Sequence, residues 1–238
     1  MNAIIAKAIS WAESGLMPDT VIRAGIRSLL ETKCKEIHSG DVEYAAKATN
    51  RFVAMMNKSP IALLSEIANE QHYEVPADFF GQVMGDHLKY SCCYWPDNAS
   101  NLSEAEVAAL ELSVKRAGIE DGMQVLDLGC GWGSLSLWIA EHFPNGFITS
   151  VSNSASQREF ILKKASERSI QNIEVIVCDM NDFTTDKQFN RVVSIEMFEH
   201  MHNYGELFRR INDWLLPDGH FFMHIFCHRT TPYEYLDK

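Results

Sequence analysis

Two short stretches hold residues whose types and spacing suit them to chemistry. Asp127-Leu128-Gly129-Cys130-Gly131-Trp132-Gly133-Ser134 sets three glycines at alternate positions, with a carboxylate two residues before the first. Glycine lets a backbone approach a ligand closely and accepts positive φ. A helix starting behind the loop offers N–H groups that have no partner inside the helix. Such a loop alone is shared by many nucleotide-binding enzymes. The second stretch, Glu196-Met197-Phe198-Glu199-His200, sets carboxylates beside an imidazole just past a predicted strand. Ligand sites form there in parallel sheets. The competing reading is that Glu199 and His200 cap a helix starting near Tyr204, because a carboxylate is favourable at a helix N-terminus without any chemical role.

Three details narrow the ligand of the glycine loop. Its spacing is G-x-G-x-G, not the G-x-G-x-x-G of dinucleotide sites. Asp127 would repel an anionic pyrophosphate and attract a cationic ammonium or sulfonium. Asp179-Met180 follows the third predicted strand, a usual place for contacts to an adenine ring, and Leu215-Leu216-Pro217-Asp218-Gly219-His220-Phe221 turns into a further strand. The combination predicts S-adenosylmethionine as cofactor, with S-adenosylhomocysteine as its product. Its predicted contacts are Asp127, Gly129, Gly131, Gly133, Asp179, Met180 and Ile195.

The elements that position these residues differ along the chain. Residues 1 to about 118 read as a helical region on the cofactor and substrate side, and residues from 119 onward as an α/β domain. Ile4, Ile5, Ala8, Ile9, Trp11 and Ala12 recur at helical spacing and predict a helix packed on its own domain. Pro18-Asp19 opens a second helix with a stripe of Val21, Ile22, Ile26, Leu29 and Leu30. Ser103 and Glu106 have the spacing of a capping box for a helix reaching about Ala117. Strands are predicted at 124–128, 147–151, 173–178, 191–195 and 220–226, with helices at 134–142, 156–167 and 204–216. This alternation predicts a doubly wound, Rossmann-like parallel sheet, which with the glycine-loop motifs is the one expected of a class I methyltransferase. Such sheets normally have seven strands, and twelve residues remain after position 226, so the C-terminal strands are expected to be missing. An uncovered sheet edge would invite a homodimer.

Composition sets outer bounds. The formal net charge of -11 disfavours nucleic acid and anionic lipid as partners and favours a neutral or cationic small molecule. No apolar run reaches the roughly 18 residues of a membrane span, and the first residues lack a secretory pattern. Six cysteines without a C-x-x-C pair fit a reducing, cytoplasmic setting. His200, His202, His224 and His228 match no zinc spacing, so no metal is expected. Trp132 reads as packing, and Cys92 and Cys93 as small buried residues. Phe198, Tyr94 and Trp95 suit either an aromatic pocket or the core.

One departure points to a branch. Where many class I methyltransferases carry an acidic residue after the second strand, this chain has Ser152-Asn153-Ser154-Ala155-Ser156-Gln157. Ser152, Asn153 and Gln157 are the candidates for hydrogen bonds to the cofactor there. With Tyr90-Ser91-Cys92-Cys93-Tyr94, the glycine loop, the run from Ser194 through Glu196, Glu199 and His200 to Gly205, and His224-Ile225-Phe226-Cys227-His228, the chain resembles the cyclopropane-fatty-acid-synthase-like methyltransferases. Within them it is most similar to the coclaurine N-methyltransferase family. Pro18-Asp19, Arg23, Arg27 and residues 72–76 fit as well.

The resemblance implies roles. Tyr90 and Ser91 close over the methionine end of the cofactor. Glu199 and His200 match an acidic and imidazole pair near the substrate nitrogen, with Glu196 in support. Cys92, Glu199 and His224 match positions that help hold a bicarbonate base in the cyclopropane synthases. The implied reaction is N-methylation of a small, alkaloid-like amine. The alternatives are cyclopropane-fatty-acyl-phospholipid synthesis on unsaturated acyl chains, and a non-catalytic cofactor-binding fragment.

Overall fold

The computed structural model describes residues 3–37, 41–63, 77–228 and 232; the stretch 72–76 lies outside them. The chain divides into two compact units, Met1–Met55 with Cys227–Lys238, and Met56–Phe226. The predicted boundary near 118 falls inside the second unit. The reason is packing: Leu110, Val114 and Ala117 share one core cluster with Val125 and Ile139 of the α/β part.

The first unit contains α1 (Ala3–Glu13), α2 (Asp19–Ile37) and α3 (Val42–Met56). α2 starts directly after Pro18, as its sequence requires. Asp41 starts α3 by accepting from the Glu43 and Tyr44 N–H groups at 2.9 and 3.0 Å. The predicted stripes have the right period but not the expected cover. Ile9, Trp11, Val21, Ile26, Leu29 and Leu30 are all between 45% and 73% exposed. Periodicity sets which residues share a helix face, not what lies against it.

The second unit runs α4 (Ala77–Val83), α5 (Leu102–Ala117), β1 (Gln124–Leu128), α6 (Ser134–His142), β2 (Phe147–Ser152), α7 (Ala155–Glu167), β3 (Ile173–Val177), β4 (Phe189–Ile195), a short 3-10 turn Phe198–His200, α8 (Tyr204–Trp214) and β5 (Leu215–His224). The five strands are ordered β3-β2-β1-β4-β5 and all pair in parallel. β1 is central, so its carboxyl end lies at the switch point between β2 and β4. Alternation along β1 puts Leu126 and Leu128 in one core cluster with Val151, Val192, Phe198 and Ile211, and Val125 in the opposite one with Leu110, Ile139 and Ile148. Burying such side chains contributes roughly 1.5–3 kcal/mol each.

Two predicted starts change. β5 begins at Leu215, but its pairing jumps from Leu215 opposite Phe189 to His220 opposite Arg191, so the Pro-Asp-Gly segment bulges out and the continuous ladder starts at His220. The cap of α5 is Asn101, whose side chain accepts from the Glu104 N–H at 3.0 Å, while Glu104 reaches back to the Ser100 N–H at 2.7 Å. The same capping spacing thus occurs two residues earlier than the Ser103–Glu106 pair. No helix of the described residues is long and apolar enough to cross a membrane.

Candidate active site

The glycine loop is held to the sheet by the Gly129 and Cys130 N–H groups, which both donate to the Val151 carbonyl at 3.0 Å. All three glycines have positive φ: +78° at Gly129, +52° at Gly131 and +79° at Gly133. Their surroundings differ. A Cβ on Gly129 would lie 2.8 Å from Met197, and one on Gly133 would lie 2.6 Å from Ile161. A Cβ on Gly131 would meet nothing within 4 Å, because open space lies above it. Gly133 also leaves α6 without a side-chain cap, so its first N–H groups keep their capacity for an acceptor.

That open space consists of two cavities which share Gly129, Gly131, Glu196 and His200 as walls. The first, about 100 Å³, runs to Ser152, Asn153, Gln157, Asp179 and Met180. The second, about 260 Å³, runs to Tyr90, Ser91, Asp127 and Ile195. The predicted cofactor residues are therefore brought together, except Gly133, which packs against Ile161.

The first cavity ends in a neutral hydrogen-bonding pair. Ser152 Oγ donates to Gln157 Oε1 at 2.6 Å and accepts from the Ser154 N–H at 3.0 Å. Gln157 is only 2% exposed, and its Nε2 is a buried donor with no partner. A buried unpaired donor is costly and fits a bound acceptor. The opposite wall, Ala62 and Leu63, was not visible in the sequence. Asn181 holds it, accepting from the Ala62 N–H and donating to the Ala62 carbonyl, both at 3.0 Å. The two residues are 119 positions apart, so no local pattern marks them.

Asp127 is 2% exposed, and its Oδ2 accepts from Ser136 Oγ at 2.6 Å; Ser136 in turn accepts from Ser150 Oγ at 2.8 Å. Burial pushes its carboxyl up to about 6, against the opposing effect of the Ser136 hydrogen bond. A cation in the second cavity would favour the ionised form.

The segment carrying Tyr90 and Ser91 is fastened from beneath by Glu106. This fully buried carboxylate accepts from the N–H groups of Gly85 and His87 at 2.9 Å and of Lys89 at 3.2 Å. Glu106 is thus no helix cap, as its spacing from Ser103 had predicted. Lys89 is itself buried; its Nζ donates to Ser91 Oγ and, at 2.8 Å, to the Cys92 carbonyl. Burial lowers its ammonium below the usual lysine value.

The acidic run past β4 divides its tasks. Glu196 adopts φ +53°, an uncommon conformation for a residue with a side chain, and its N–H donates to the His224 carbonyl at 2.8 Å. Its Oε1 accepts from Cys92 Sγ at 3.5 Å. Glu199 Oε1 accepts from the Phe226 N–H at 2.6 Å, while its Oε2 is buried with no partner. Cys92 therefore meets Glu196 rather than Glu199. Cys92, Glu196 and His224 present donor atoms within 4.8 Å of one another. Neither Glu199 nor His200 caps α8; Asn203 does, accepting from the Glu206 N–H at 3.1 Å. Of the three candidate aromatic residues, Phe198 is core, stacked with Phe208, whereas Tyr94 and Trp95 are half exposed. Trp132 packs between Phe80 and Phe160.

Known proteins resemble this chain over much of its length. The family model described as mycolic acid cyclopropane synthetase matches residues 64–235. The chain is 38% identical to (S)-coclaurine N-methyltransferase of Thalictrum flavum subsp. glaucum, over 98% of this chain and 65% of that protein. It is 32% identical to the cyclopropane-fatty-acyl-phospholipid synthase of Escherichia coli K12, over 69% of this chain and 42% of that protein. Among solved structures, coclaurine N-methyltransferase bound to N-methylheliamine and SAH superposes with a TM-score of 0.93 at 36% identity, covering 98% of this chain and 67% of that one. The chain thus spans under two thirds of the curated relatives' length.

Proposed function

The chain belongs to the mycolic acid cyclopropane synthetase family, and from that premise we propose that it is an S-adenosylmethionine-dependent methyltransferase acting on a small amine. The observation that carries this reading is the pair of cavities meeting over Gly131, one ending in the unpaired Gln157 donor and the other at Asp127. An elongated ligand with a hydrogen-bonding nucleoside at one end and a cationic amino acid at the other fits that arrangement. Gln157 and Ser152 serve the nucleoside end, beside Asn153, Asp179 and Met180. Asp127 and the first turn of α6 serve the amino-acid end, with Tyr90 and Ser91 on the side held by Glu106. Gly129, Gly131 and Ile195 line the space between.

When bound, S-adenosylmethionine supplies an electrophilic methyl group on a positively charged sulfur. The protein's task is to present a lone pair to it. An aliphatic amine is mostly protonated at neutral pH and must lose that proton to attack. His200 borders both cavities, which supports it as the group that takes the proton. Glu199, anchored through the Phe226 N–H and with one buried oxygen free of partners, is the carboxylate that would balance the charge His200 acquires. Glu196 and His224 complete this side of the cleft. Such base help contributes roughly 10²- to 10⁴-fold, and holding the reactants in line contributes further.

An amine is favoured over a lipid alkene by the similarity to N-methyltransferases across 98% of the chain, against 69% for the phospholipid synthase. The test is incubation with isotope-labelled donor, a tetrahydroisoquinoline panel and unsaturated phospholipid vesicles. N-methyl product is expected. Labelled methylene in phospholipid without N-methyl product overturns the amine reading, and donor binding without any turnover makes the chain a non-catalytic binder.

A further inference from the structure

Cys92, Glu196 and His224 come from three separate places: the segment between α4 and α5, the residue after β4, and the last residue of β5. A thiol sulfur, a carboxylate oxygen and an imidazole nitrogen there lie mutually within 4.8 Å, and the sulfur–oxygen pair is at 3.5 Å. We propose that these three side chains form a binding site for a borderline-soft divalent cation of the zinc class.

The chemistry of the donor set supports this. Thiolate, imidazole and carboxylate are the three ligand types that zinc takes, and three protein ligands leave the fourth tetrahedral position open. Bonds of about 2.0–2.3 Å put tetrahedral ligand atoms roughly 3.3–3.8 Å apart. The sulfur–oxygen pair already has that spacing, and the imidazole, within 4.8 Å of both, needs to close by at most about an ångström. Two of the ligands are tied together by backbone, since the Glu196 N–H donates to the His224 carbonyl at 2.8 Å. The third, Cys92, is exposed on its loop, and its thiol already reaches the Glu196 carboxylate. The His224 ring has no hydrogen-bond partner among the described residues, so nothing else claims its nitrogens. Glu196 keeps its uncommon positive φ at this point, with its carboxylate on Cys92.

Binding is balanced as an exchange: the Cys92 S–H bond breaks, a sulfur–metal bond forms and the proton passes to solvent. Because Glu196 also borders both cavities, an occupied site would take its carboxylate away from them. If the chain transfers methyl groups as proposed above, the cation lowers that turnover. The metal site itself does not depend on that reading.

Cobalt(II) is the direct probe. Titrated into the full chain with a non-thiol reductant, it should give one equivalent of four-coordinate d–d absorption, a thiolate-to-cobalt band in the near ultraviolet, and release on adding zinc. Cys92→Ser should abolish the near-ultraviolet band. His224→Ala should weaken cobalt affinity by on the order of tenfold or more while keeping the band at high cobalt. Cys93→Ser and Cys34→Ser should titrate like the parent chain, and circular dichroism checks the fold of each variant. Absence of the band in the parent chain, or a full band in folded Cys92→Ser, overturns the proposal. Unchanged affinity in folded His224→Ala does so as well.

Discussion

At the Ser152 end of the cleft, the polar groups sit on the last residue of one strand and the first turn of the following helix. At the Glu196 end, they are drawn from Cys92, Glu196, Glu199, His224 and the Phe226 backbone, which meet only when distant segments close. The first end is organised by local hydrogen bonds such as Ser152 to Gln157. The second depends on tertiary contacts such as the Cys92–Glu196 hydrogen bond, which spans 104 positions. Under the proposed function the two ends take different tasks: the locally built end binds, and the collectively built end reacts.

The largest expected effect breaks the reacting end alone. Glu199→Ala should lower turnover by roughly 10²- to 10⁴-fold in steady-state assays, with donor affinity by calorimetry nearly unchanged. Equal losses in both would make the two ends one functional unit.

Asp127→Asn should act on the binding end and reverse with pH. The folded carboxyl sits at about 6 against an ordinary 3.8, so ionising it is penalised in the folded chain. That penalty is absent below about pH 4 and complete above pH 6, worth on the order of 3 kcal/mol. Ligand-free chain should therefore lose stability relative to Asp127→Asn as pH rises from 4 to 6, read by chemical denaturation. Donor affinity should move the other way. The parent chain should bind more tightly above pH 6, where Asp127 can meet a cation as carboxylate, and Asp127→Asn should show no such step.

Glu106→Gln probes how far the Tyr90–Ser91 segment matters to binding. One of its three accepted N–H bonds loses its oxygen, and a buried donor left unpaired costs about 1–3 kcal/mol. Faster hydrogen exchange at Gly85, His87 or Lys89 is expected, with a raised KM for donor and little change in kcat. Glu111→Gln, on the same helix, is the control. Gln157→Leu should have the smallest effect, several-fold in donor affinity, because Ser152 and the loop remain.

The local parts of this account were legible in the sequence. The glycine loop, β1 and α6 lie where spacing placed them, because each is specified by residues within a few positions. Glu106 was misread because Asn101 and Glu104 offer the same capping spacing two residues earlier, and sequence spacing carries no sign of the three N–H groups that Glu106 holds. Asn181 was invisible for a different reason: its partner Ala62 lies far along the chain. The resemblance had set Cys92 and His224 with Glu199, and only the folded chain puts Glu196 in that place, because histidine spacing carries no sign of contacts between distant segments. The α2 stripe was read correctly as a helix, yet its exposed Leu29 and Leu30 show that amphipathic period does not name a partner surface.

The central claim is that a methyl donor lies across both cavities over Gly131. Gly131→Ala puts a methyl group where nothing now stands within 4 Å. It adds a positive-φ cost of about 1–2 kcal/mol but no clash. Calorimetric titration with S-adenosylmethionine should show one site in the parent chain and, in folded Gly131→Ala, affinity weaker by an order of magnitude or more. Parent-like affinity in that variant, or no binding to the parent chain, would contradict the account.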